Sequence, residues 1–210
     1  MPTIYRDIRD FDRRAVRVST EVVGRVRPAD LARPTPCGHW NLAELLAHMT
    51  AQHRGFAAAS AGRGADGEVW RPVRSPSDPV REHRAAADEV LAAFAAEGVL
   101  EQPFALPELS PAEFPAIQAI GFHFIDYVVH GWDVARALGE NYVLDGDLAP
   151  LALRIAEQVP NGAERSRPSA AFAPALPLES GSSALERILL LLGRTPSWNR
   201  DLQVPAPESP

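Results

Sequence analysis

Apolar residues recur at helical spacing along most of this chain. Residues 4 to about 26 read as a first amphipathic helix. Phe11, Val16, Val18, Val22 and Val23 form its apolar face; Arg6, Asp7, Arg9, Asp10, Asp12, Arg13 and Arg14 form a solvated one. Pro28 follows its end. Asn41-Leu42-Ala43-Glu44 has the capping-box pattern that opens a second helix. There Leu42, Leu45, Leu46, Met49 and Phe56 trace a core-facing stripe. Ser77-Asp78-Pro79 starts a third helix, with Val80, Ala87, Val90, Leu91 and Phe94 as its stripe and Gly98 suited to its end. His83 falls near neither stripe nor cap and reads as a surface residue. Ser110-Pro111-Ala112-Glu113 again combines an N-cap, an N1 proline and an N3 glutamate. Pro115 delays regular helix by a turn, the pattern is helical from Ala116 to Leu138, and Gly139 makes a C-cap.

The connectors differ in character. Residues 32–40 are stiffened by Pro34 and Pro36. Residues 62–78 are rich in Gly, Pro, Arg and Ser, a loop long enough to cover a pocket mouth. A fifth helix is expected from Asp147 to near Val159. The apolar piece at 171–178 predicts either a hairpin or a strap across the bundle, its prolines arguing against a central strand. Ser183-Ala184-Leu185-Glu186 is another capping box, and 185–192 form a short helix apolar on most sides, ended by Gly193. The pattern predicts an all-α fold: a four-helix bundle over about 4–160, then an extended segment and terminal helix over about 161–210, in one domain.

Composition narrows the function classes. The chain has 210 residues and a formal net charge of -6, with no Lys/Arg block. Nucleic acid and anionic membranes are therefore not expected partners. No stretch is long and apolar enough to span a bilayer, and the start has no apolar run behind a basic region. The single Cys37 has no partner for an internal disulfide, and the expected compartment is the cytoplasm. A homodimer is compatible with the pattern.

The chemistry concentrates between Gly121 and Arg136. His123 precedes Asp126 by three residues and Asp126 precedes His130 by four, so all three share one side of a helix. Burying that seam requires neutralisation. A divalent metal supplies it, and so does a hydrogen-bonded His/Asp network. His48 lies beside the stripe of the second helix; it reads as a boundary residue or, facing Asp126 and His130 across a bundle, as a third ligand. His123 is open to four roles: fourth ligand, proton shuttle, substrate contact or boundary residue. Asp133 either orders local structure or hydrogen-bonds a ligand histidine. Cys37 is expected to pack against Trp40, with a reactive thiol as the alternative, and Trp40 and Trp132 are core or substrate platform. No Ser/His/Asp set, phosphate loop or CxxC is present.

Three motifs carry a family resemblance. The segment Thr35-Pro36-Cys37-Gly38-His39-Trp40-Asn41-Leu42-Ala43-Glu44-Leu45-Leu46-Ala47-His48 resembles the opening motif of the mycothiol-dependent maleylpyruvate isomerase N-terminal family, within the DinB-like metal-binding bundles. Asp126 to Gly139 is similar to its second motif, and Leu185 to Trp198 resembles the end of its actinobacterial members. The resemblance implies a DinB-like four-helix bundle. It also implies a divalent metal, zinc most often and nickel in some cases, held by His48, Asp126 and His130. It further implies mycothiol or a related low-molecular-weight thiol, and a small-molecule substrate. The isomerase itself is expected to carry Glu where this chain has Asp126. Two histidines and one carboxylate leave coordination positions open, as in a catalytic centre. Three functions follow: a thiol-activating transferase or isomerase, a thiol-independent metal enzyme acting by hydrolysis, elimination or cyclisation, or a non-catalytic metal-binding bundle.

Overall fold

The computed structural model describes residues 7–38, 40–73, 76–167 and 170–199. Six α-helices form among them: α1 (Ile8–Val23), α2 (Leu42–Ser60), α3 (Pro79–Phe94), α4 (Ala116–Leu138), α5 (Ala149–Gln158) and α6 (Ala184–Leu191). No strand forms among these residues beyond two isolated bridges. The all-α expectation holds, with short α5 and α6 added to the bundle.

Local chemistry explains most helix ends. The Asp7 carboxylate accepts from Arg9 N, so α1 opens at Ile8; the expected residues 4–6 lie outside the described range. Gly24 ends α1 before residue 26, although Val26 stays buried. The Asn41/Glu44 and Ser183/Glu186 capping boxes both form. Asp78 caps α3 through Arg81 N. The Ser110–Glu113 signal does not open a helix. Phe104 and Phe114 instead exchange backbone hydrogen bonds of 2.8 and 2.9 Å, and the buried Phe104 ring pins that loop against α3. Burial of one aromatic ring outweighs a local cap. Helix α4 therefore starts after Pro115, and Gly139 ends it at φ 78°, a left-handed value that suits glycine.

Helix α4 is the buried centre. It packs chiefly on α1, and also on α2 and α5, while α2 packs on α3. One core group joins Leu45, Leu46, Met49, Tyr127 and Trp132; a second joins Phe56, Trp70, Phe94 and Ile120. The third joins Phe124, Val128, Leu148, Phe172 and Ile188 under α5 and α6. The loop after α2 is anchored where Trp70 inserts: it is 7% exposed, and Nε1 donates to Gly64 O over 2.8 Å. Of the two readings of 171–178, the strap is the one that forms. Leu176 N donates to Leu190 O, and the Arg165 guanidinium ties Ala173 O to Leu191 O.

Candidate metal centre

Helix α2 presents His48 and α4 presents Asp126 and His130. Each offers one ligand atom, and the three atoms lie within 4.8 Å of one another. His130 Nε2 is 3.3 Å from Asp126 Oδ1. The His48 and His130 rings meet edge to face with centroids 5.3 Å apart. The connector before α2 folds back over this group. Thr35 Oγ1 donates to Trp40 O over 2.8 Å, and the Trp40 indole lies 4.6 Å from the His48 ring. Trp40 is 37% exposed and so forms the solvent side of the site, whereas Trp132 is core.

The electrostatics follow from burial and close charge. Burial, helped by the nearby His130 charge, drives the His48 pKa down to about 4, so its imidazole is neutral with a free lone pair. Burial also opposes charge on His130, but Asp126 and Asp133 outweigh it and raise that pKa to about 9. Burial would raise the Asp126 pKa; the His130 charge and hydrogen bond reverse this and bring it to about 2. The partly buried carboxylate is thus compensated by a proton on His130. A divalent cation held by the same atoms compensates it equally, and two imidazoles plus a carboxylate are a suitable donor set for zinc or nickel.

Asp133 faces the other side of His130. His130 Nδ1 donates to Asp133 Oδ2 over 3.0 Å, which leaves Nε2 toward Asp126 and His48. Asp133 has no exposure, and Arg194 Nε and Nη2 each donate to it over 3.1 Å. Cys37, His130 and Asp133 form a second group with donor atoms within 4.8 Å, but Arg194 Nη2 also donates to Cys37 Sγ over 3.0 Å. The guanidinium thus engages the sulfur and the carboxylate together. Burial, then the Asp133 charge, pushes the Cys37 thiol up to about 12. The Trp40 ring lies against His48 at a tilt of 43°, and Cys37 neighbours Arg194.

His123 is not brought into the centre. It shares a side of α4 with His130, but seven residues separate them by ~10 Å along the axis. At that level α1 and α2 approach. His123 Nδ1 donates to Asp12 Oδ1 over 2.6 Å, and its Nε2 is 3.1 Å from His53 Nδ1, so both ring nitrogens are engaged. His53 stacks on Tyr127 with ring centroids 3.9 Å apart, and the His83 ring lies 5.0 Å from His53. Asp12, His53, His83 and His123 are all fully buried. Asp12 and His83 are therefore interior residues, not the surface groups that their charge and spacing predicted. The signal was there: Asp12 is in phase with Ala15, Val16, Ser19, Val22 and Val23, and His83 with Ala87 and Val90. Arg194 lies in the Leu185 to Trp198 motif, but no spacing marks it as a site residue, since it is a lone cation after a helix.

The model of the Mycothiol maleylpyruvate isomerase N-terminal domain family matches residues 13–135. Two relatives from Mycobacterium tuberculosis, Uncharacterized protein Rv0738 and Uncharacterized protein MT0763, are each 31% identical over 182 residues, spanning 87% of this chain and 94% of theirs. A crystal structure of the mycothiol-dependent maleylpyruvate isomerase aligns with a TM-score of 0.57 at 14% identity, over 76% of this chain and 70% of that one. A histidine-to-alanine mutant of the same isomerase aligns with a TM-score of 0.59 at 12% identity and the same coverage. At such identities the likeness establishes a common fold.

Proposed function

Because this chain belongs to the mycothiol maleylpyruvate isomerase N-terminal domain family, we propose that it is a divalent-metal enzyme that activates mycothiol, or a similar small thiol, toward a small-molecule electrophile. The reaction is a thiol transfer or a thiol-assisted isomerisation. The supporting observation is the convergence of His48, Asp126 and His130 within 4.8 Å, contributed by two helices.

In this reading His48, Asp126 and His130 hold zinc or nickel. A divalent ion there supplies the positive charge that lowers the pKa of a thiol brought beside it to near neutrality. The chain's own groups do the rest. His48 offers an uncharged imidazole, since burial holds its pKa at about 4. Asp133 occupies His130 Nδ1 and so directs Nε2 inward. Trp40 walls the solvent side with an apolar face against which a substrate can lie. Among the described residues no helix is long and apolar enough to cross a membrane; a cytoplasmic site of action belongs to this proposal.

One feature favours a second reading. Asp126 is a shorter carboxylate than the glutamate the isomerase is expected to carry, so the substrate need not be maleylpyruvate. Metal analysis of the purified protein, followed by mass-shift assays of electrophiles with and without mycothiol, tests both. The proposal expects one ion per chain and product only when thiol and metal are both present. Product without thiol transfers the centre to hydrolysis, elimination or cyclisation. A protein that takes up no metal overturns both enzyme readings.

A further inference from the structure

We propose that Arg194 is a positioning residue for the metal centre, acting through Asp133 on His130. The proposal rests on the metal-centre reading above, but concerns a residue outside the segment matched by the family.

Arg194 is 3% exposed, so its charge must be answered inside the protein. All three of its nitrogens are engaged. Nε and Nη2 donate to the Asp133 carboxylate, Nη2 to Cys37 Sγ and Nη1 to Leu192 O. Asp133 is completely buried and spends its other contact on His130 Nδ1. The chain Arg194–Asp133–His130 therefore runs from the end of α6 to the inner face of the donor set. Without the guanidinium, Asp133 is an uncompensated buried carboxylate that loses the donors fixing its orientation; it turns aside, and that releases His130 Nδ1. A free imidazole can flip, which points the wrong nitrogen at the ion.

The backbone is shaped for this task. Gly193 follows α6 at φ 74°, and a Cβ there would sit 2.6 Å from Ala173 O of the strap. Arg194 N returns to Leu189 O over 2.8 Å, closing the helix end. Arg136 of α4 then holds Trp198 O over 2.7 Å. The turn that carries Arg194 is thus fastened on both sides, which aims a long side chain along one path. A lysine cannot make the two-point contact with the carboxylate.

The test compares wild type, Arg194→Lys, Arg194→Gln, Asp133→Asn and the double variant Arg194→Gln/Asp133→Asn, with folding checked by circular dichroism. Zinc affinity is measured by competition with a chromophoric chelator. The His130 Nδ1–H proton is followed by NMR in metal-free protein, so this readout stands whether or not zinc binds. The expected result is a slowly exchanging Nδ1–H in wild type that is lost in Arg194→Gln, with zinc binding weakened about 10–100-fold, the usual cost of losing such an outer partner. Arg194→Lys falls between, and Arg194→Gln/Asp133→Asn is no weaker than the weaker single variant, because both cut one chain. If Arg194→Gln keeps the Nδ1–H signal and wild-type affinity while merely melting earlier, the residue is structural and the proposal fails. If Arg194→Gln does not fold, the lysine variant decides by the same two signals. Wild type that binds no zinc sinks the metal centre, while the NMR comparison still decides the role of Arg194.

Discussion

His123 donates Nδ1–H to Asp12 Oδ1 over 2.6 Å, and both side chains are completely shut off from solvent. This pair joins α1 to α4 in the same layer where His53 of α2 and His83 of α3 meet. It makes the bundle interior a polar network distinct from the proposed metal centre.

Asp12→Ala should lower the unfolding free energy by about 1–3 kcal/mol, because it leaves the His123 donor buried and unpaired. Urea titration measures this. Zinc affinity of the folded variant should be unchanged, since Asp12 lies among the interior histidines.

Acid should weaken the fold in a defined window. Burial depresses the His83 pKa from 6.5 to about 3, and drives His53 well below its ordinary value, aided by the neighbouring His83 and His123 charges. The unfolded chain binds protons below 6.5 that the native state refuses. The stability is therefore complete above about pH 6.5 and falls as pH drops toward 3. Each neutral histidine contributes a slope of about 1.4 kcal/mol per pH unit. Denaturation midpoints across pH 4 to 7 should show the loss, and His83→Leu should make it shallower by one proton's worth.

The donor set should be separable from the interior network. His48→Ala, Asp126→Asn and His130→Ala should each weaken zinc binding by more than the ~10–100-fold typical of outer partners. His123→Leu should leave zinc stoichiometry at the wild-type value while changing thermal stability. Chelator competition and melting curves on the same samples check both halves. Loss of zinc from the His123 variant would place that residue in the centre after all.

Gly55→Ala should destabilise by about 1–3 kcal/mol through overpacking. A Cβ there would sit 2.1 Å from Trp70 Cε3, so the indole must leave its site on α2. Tryptophan emission should move to longer wavelength as the 67–70 turn lifts away.

Helix caps were readable because they are local. Asn41/Glu44, Asp78 and Ser183/Glu186 each join a side chain to a backbone amide three residues away, and nothing distant opposes them. Ser110 carried the same signal and lost, since the burial of Phe104 and its pairing with Phe114 came from elsewhere in the chain. Asp12 reads as surface by its charge and His83 as off the apolar stripe, yet both are in phase with apolar neighbours that the crossing helices bury.

The sequence by itself determined the helices, their apolar sides and the placing of Asp126 and His130 one turn apart on α4. These depend on a fixed rise and rotation per residue, which any reader of the chain can apply. Only the tertiary structure decided that His130 meets His48 and that Asp133 meets Arg194, while His123, two turns away on the same side, meets Asp12 and His53. Rotation along one helix says which way a side chain leaves the axis. What it finds there depends on the height at which other helices cross, and on a C-terminal turn that delivers Arg194 from outside the bundle.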